Sequence, residues 1–114
     1  MMINDMSQTV RRQLDLVVGN GHEEAMRRAL AALAADFDRW KAGEIDAFEL
    51  ADRIHKFHDG ENREIYTMFS HRPSSRLPLQ AVYCLNRGLV KAEDVPAEAM
   101  EYLGPWLVRP SWQE

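Results

Sequence analysis

The sequence predicts an all-α protein, a single small bundle of five or six helices around a central antiparallel helical hairpin. Three observations predict it. Apolar residues return every three or four positions along most of the chain, glycines and prolines fall between those runs, and the two-residue alternation of a half-buried strand does not occur. At 114 residues the length suits one domain, residues 1–114, with a modest core that self-association would reinforce.

The first helix starts behind Asp5 or Ser7, either of which has the side-chain oxygen an N-cap needs, and carries Met6, Val10, Leu14, Val17 and Val18. Gly19, Asn20 and Gly21 are expected to stop it. A second helix follows over about residues 23–42, with Met26, Leu30, Leu33, Phe37 and Trp40 in alternating steps of four and three. This is a narrow heptad-like seam, flanked by Ala29 and Ala32 where a neighbour can approach closely. It needs a helical partner, either the next helix or a second copy of the chain.

Gly43 ends that helix and Asp46 opens the third. Asp46 as N-cap and Glu49 three residues on have the spacing of a capping box, with Ile45 and Leu50 at the staple positions. Leu50, Ile54 and Phe57 share one face, and Glu49, Asp52 and Lys56 the opposite one. The third helix therefore packs antiparallel on the second, giving a hairpin over about residues 23–59 with its turn at residues 43–46. Asp59 is expected to cap a fourth helix from about Glu61, whose inward face is Ile65, Met68 and Phe69. A loop with Pro73 and Pro78 leads to a fifth helix over residues 79–87, stopped by Gly88. A sixth follows Pro96 with Met100, Leu103 and Leu107 inward, and a less regular tail begins at about residue 104, where Pro105 and Pro110 interrupt Trp106 and Trp112.

Composition narrows the function classes. A net charge of -4 gives no basic footprint for a phosphate backbone, so nucleic acid is disfavoured as a partner. A helix-turn-helix reading of the third and fourth helices meets Glu61 and Glu64 where base-reading residues enter the groove. No apolar run approaches the roughly 20 residues of a membrane span, and the N-terminal residues lack the layout of an export signal. Cys84 is the sole cysteine, so no internal disulfide forms and a reducing cytoplasm is expected.

Several residues invite a chemical reading. His55 and His58 stand three apart on one helix, a spacing that lets both rings reach one metal, with Asp59, Glu61, Glu64 or His71 to complete the shell. Over a very short span, His58-Asp59 is similar to the paired His-Asp of HD-domain phosphohydrolases. That resemblance implies His22 as the earlier histidine, Asp94 as the later carboxylate, and metal-activated water. Residues 38–49 resemble the calcium loop of the EF-hand family, with Asp38, Gly43, Ile45, Asp46 and Glu49 in family-like places. Trp40 and Ala42 stand where that loop supplies oxygens, so the likeness is one of turn and cap. Cys84, among Val82, Tyr83 and Leu85, is expected to be a buried thiol. His71, Arg72 and Arg76 gather charge suited to an anion or an acidic partner.

The reading these residues favour is a non-catalytic, small, cytoplasmic, bacterial-looking accessory or regulatory protein that binds another protein or itself through helices. Its interface residues would be Met26, Leu30, Leu33, Phe37 and Trp40, with Trp106 and Trp112 as a further partner surface. No cofactor is expected. The alternative is a metal-dependent hydrolase built on His55, His58, Asp59 and Glu64.

Overall fold

One helix organises the chain. In the computed structural model, which describes residues 6–107, α1 runs unbroken from Gln8 to Lys41 over 34 residues, about 50 Å at 1.5 Å per residue. The break expected at Gly19, Asn20 and Gly21 is not there. Glycine inside a helix costs only about 1 kcal/mol relative to alanine, and packing on this stretch outweighs it. Gly21 is buried, and a Cβ there would overlap the Cys84 Sγ and lie 3.1 Å from its Cβ. The residue reads as a breaker in sequence and serves as a close crossing in three dimensions.

The remaining elements are α2 (Ala47–Asp59), α3 (Glu61–Phe69), α4 (Leu77–Asn86), a 3-10 turn (Ala92–Asp94) and α5 (Ala97–Leu107), with no strand among the described residues. α4 starts two residues before the expected position 79, with Pro78 in its first turn, where a missing N–H costs nothing. α5 continues through Gly104 and Pro105 to Leu107, into the stretch expected to be less regular.

The ends follow local chemistry. Ser7 caps α1, its Oγ accepting from the Val10 N–H at 3.0 Å; Asp5, the other candidate cap, lies outside the described residues. Gly43 follows the C-cap of α1 at φ 80°, and Glu44 donates to the Arg39 carbonyl at 2.8 Å. Gly88 does the same for α4 at φ 68°, with Leu89 donating to the Cys84 carbonyl at 2.9 Å. Both are Schellman closures, which need a residue at positive φ and hence glycine. Asp46 caps α2 by accepting from the Glu49 N–H at 2.8 Å. The reciprocal half of the expected capping box is not made, because the Glu49 carboxylate pairs with Arg53 at 2.9 Å. Asp59 does not cap α3: it is the last residue of α2, and only Gly60 separates the two helices.

Burial divides the molecule in two. α1, α3, α4 and α5 pack together around Val10, Leu14, Val18, Phe69, Leu77, Ala81, Cys84, Ala99 and Leu103, using the N-terminal half of α1. Met26 and Arg28 still lie beside α3 and the end of α4, whereas the last turns of α1 have α2 alongside, and Leu50 is the sole buried residue of α2. The result is a four-helix head and a two-helix arm. The radius of gyration, 18.0 Å, exceeds the roughly 13 Å of a compact domain of this length, because the arm projects.

Candidate functional site

The arm has two unlike sides. Arg53 of α2 bonds Asp36 of α1 at 2.7 Å and Glu49 at 2.9 Å, and Arg39 bonds the same Asp36 at 2.7 Å. These ion pairs sit beside a cleft lined by Ala29, Ala32, Leu33, Lys56, Phe57 and Glu61. They hold one side of the arm with polar groups.

The other side is apolar and uncovered. The α1 row that meets α2 holds Ala29, Leu33, Asp36 and Trp40, and the row one residue on holds Leu30, Ala34, Phe37 and Lys41. On α2 the row meeting α1 holds Asp46, Leu50, Arg53 and Phe57, and one residue on come Ala47, Ala51, Ile54 and His58. A one-residue step turns each helix by about 100°. Because the helices are antiparallel, both displaced rows turn to the same side of the arm. All eight of these residues are exposed; Leu30 retains 49%, Phe37 36% and Ile54 38% of its surface. Lys41 and His58, one at the tip and one at the base, are the polar members.

At the base this side runs into a groove of about 480 Å³ lined by His22, Met26, His58, Asn62, Arg63, Tyr66 and Thr67. His22 stacks on Phe69 with ring centroids 4.9 Å apart. Burial, and then the nearby Arg72 charge, hold its pKa below the ordinary value of 6.5.

The predicted seam is thus split. Leu33 lines the ion-paired cleft, Met26 lines the basal groove, and Leu30, Phe37 and Trp40, the last keeping 41% of its surface, are exposed. The alanines that complete the apolar side, Ala34, Ala47 and Ala51, carried no signal in the sequence analysis. Only their shared exposure beside Leu30, Phe37 and Ile54 reveals them. Trp106 stacks on Tyr102 at 5.2 Å, and Trp112 lies outside the described residues.

The residues of the metal reading go to different places. His55 Nε2 pairs with Asp59 Oδ2 at 3.0 Å on the exposed surface of α2, while His58 faces the basal groove. Glu64 lines a separate cleft with Arg28, Glu61 and Arg87. His22 is held against Phe69, and Asp94 sits in the 3-10 turn. Among the described residues, no three of His, Cys, Asp and Glu gather as a metal-binding set.

The basic loop has a structural occupation. Arg72 donates to the Phe69 carbonyl at 3.1 Å, and Arg76 to those of His71 and Met68 at 3.2 and 3.3 Å. Buried Gln80 adds bonds to the Met68 and His71 carbonyls at 2.9 and 3.0 Å. These side chains satisfy carbonyls that the end of α3 leaves open. Cys84 is fully buried, and burial raises its thiol pKa to about 11, which removes the thiolate a nucleophile needs.

No family model, no curated protein and no solved structure matches the chain. Among the described residues, no helix is long and apolar enough to cross a membrane.

Proposed function

We propose that this chain is a non-catalytic accessory or regulatory protein that acts in the cytoplasm through a helix-mediated protein–protein interface. The observation that supports the reading is the uncovered apolar side of the arm, where Leu30, Phe37 and Ile54 stand exposed around three alanines. Apolar surface left in water is unfavourable in proportion to its area. A contiguous apolar surface rimmed by charged residues such as Arg27 and Asp38 is the composition of an interface centre and its rim. Helices are also rigid carriers for such a surface, since the arm brings it clear of the head.

The experiment is affinity capture from the native host with the full chain and with Leu30→Glu side by side. Leu30 is half exposed and glutamate is a good helix former, so the variant keeps its fold, which circular dichroism checks. A specific partner retained by wild type and lost by Leu30→Glu supports the reading. Capture that ignores this substitution counts against the arm as the interface.

A further inference from the structure

We infer that the cleft between α3 and α4 is a binding site for a small zwitterion, an α-amino acid with an apolar side chain. This goes beyond the interaction reading above and does not depend on the arm. Both helices pack on α1, and they are joined to each other at one end. There Gln80 Nε2 donates to the Met68 carbonyl at 2.9 Å, and the Phe69 and Tyr83 rings meet edge to face with centroids 6.0 Å apart. Beyond that junction lies a cleft of about 450 Å³, to which α1 contributes Ala25 and Arg28. The volume falls in the range of small-molecule sites.

The charges on the two helices select the ligand. Glu64 lies one turn back from Met68 on α3, with Glu61 nearer its start, and Arg87 lies one turn on from Tyr83 at the C-cap of α4. All three line the cleft, yet among the described residues neither carboxylate has a cation within ion-pair distance, and Arg87 has no carboxylate. Arg87 is nonetheless held in place, its guanidinium 4.7 Å from the centre of the Tyr83 ring. Arg28, the other cation of the cleft, is taken by Glu24 at 2.8 Å and by the Gly88 carbonyl at 2.8 Å. The cleft thus offers unmatched charges of both signs on different helices, with an apolar lining from Ile65, Met68, Phe69 and Leu89. An ammonium group matches the α3 carboxylates, and a carboxylate matches the planar Arg87 guanidinium. An apolar side chain covers the lining and leaves water in doing so. A free α-amino acid carries all three groups. An anion alone leaves Glu61 and Glu64 unmatched, and a cation alone leaves Arg87 unmatched.

The test is an NMR titration of the full chain with L-phenylalanine, L-leucine and L-methionine, following the methyl signals of Ile65 and Met68. At least one should saturate with a Kd of about 1 mM or below. Its N-acetyl derivative lacks the ammonium group and its amide lacks the carboxylate, so each should bind about tenfold or more weakly. Variants at exposed positions assign the two ends, with circular dichroism to check the fold. Arg87→Gln should weaken the free amino acid about tenfold and leave the amide unaffected. Glu61→Gln with Glu64→Gln should weaken the free amino acid likewise and leave the N-acetyl derivative unaffected. No saturation by any of the three up to about 50 mM overturns the proposal, and so does binding that ignores these variants. Equal affinity for either derivative overturns it too, because the ligand then needs only one of its charges.

Discussion

Arg53 Nη1 donates to Asp36 Oδ1 at 2.7 Å across the arm, joining residues 17 apart in sequence. The same guanidinium holds Glu49 from the preceding turn of α2, and the hydrogen bonds to Glu49 and then Asp36 raise the Arg53 pKa. The bond matters because little else fixes α2: Leu50 is its one buried residue.

From this follows a prediction about local stability. Arg53→Ala should speed amide hydrogen exchange in α2 and in the α1 turns facing it, while exchange in α4 and the N-terminal half of α1 stays unchanged. Asp36→Ala should do the same, and the double variant should add less than the sum of the two. Raising salt should narrow the difference between wild type and Arg53→Ala, since exposed ion pairs are screened. Uniform faster exchange over head and arm would mean the pair supports the whole fold and not the arm alone.

A second prediction concerns the crossing of α1 and α4. Alanine is the better helix former by about 1 kcal/mol, so an exposed Gly21→Ala would stabilise. Here its Cβ would overlap the Cys84 Sγ, and the helices would have to part, at a cost of about 1–3 kcal/mol. The expected outcome is a lower melting temperature for Gly21→Ala, recovered in large part by adding Cys84→Ala, which removes the overlapping sulfur. A stabilised Gly21→Ala would show that the helices do not meet there. The thiol gives an independent reading: with its pKa raised to about 11 by burial, Cys84 should react with a disulfide reagent only as fast as the chain opens.

Gly21 also shows where the sequence was legible and where it was not. The turn between α1 and α2 was legible because its determinants are local: Gly43 supplies the positive φ, and Asp46 accepts from the Glu49 N–H three residues on. The same local rules misread Gly19 and Gly21 as a stop, since what keeps α1 continuous is packing against residues more than 50 positions away, Arg72 beside Gly19 and Cys84 beside Gly21. The spacing of Met26, Leu30, Leu33, Phe37 and Trp40 gave a helix and a face. It could not give which part of that face α2 covers, because periodicity fixes angles around one helix and says nothing of a neighbour's width. His55 and His58 looked paired for a similar reason: one pairs with Asp59 along α2 and the other turns to the basal groove.

The last prediction is a pH dependence with a definite sign. His22 is stacked on Phe69 and its folded pKa lies below 6.5, first through burial, then through Arg72, against a smaller opposing pull from Glu23. The unfolded chain then takes up this proton at a higher pH than the folded chain does. Between those two values the unfolded state binds more protons, so stability rises with pH through that window. The neutral ring's contribution is complete above about 6.5 and is lost as pH falls through the folded value. Melting temperatures measured from pH 8 to pH 5 should therefore fall more for wild type than for His22→Phe, which keeps an aromatic ring on Phe69 and has no proton to gain. An NMR titration placing the His22 imidazole at or above 6.5 would contradict the burial that the stacked geometry implies, as would two parallel melting curves.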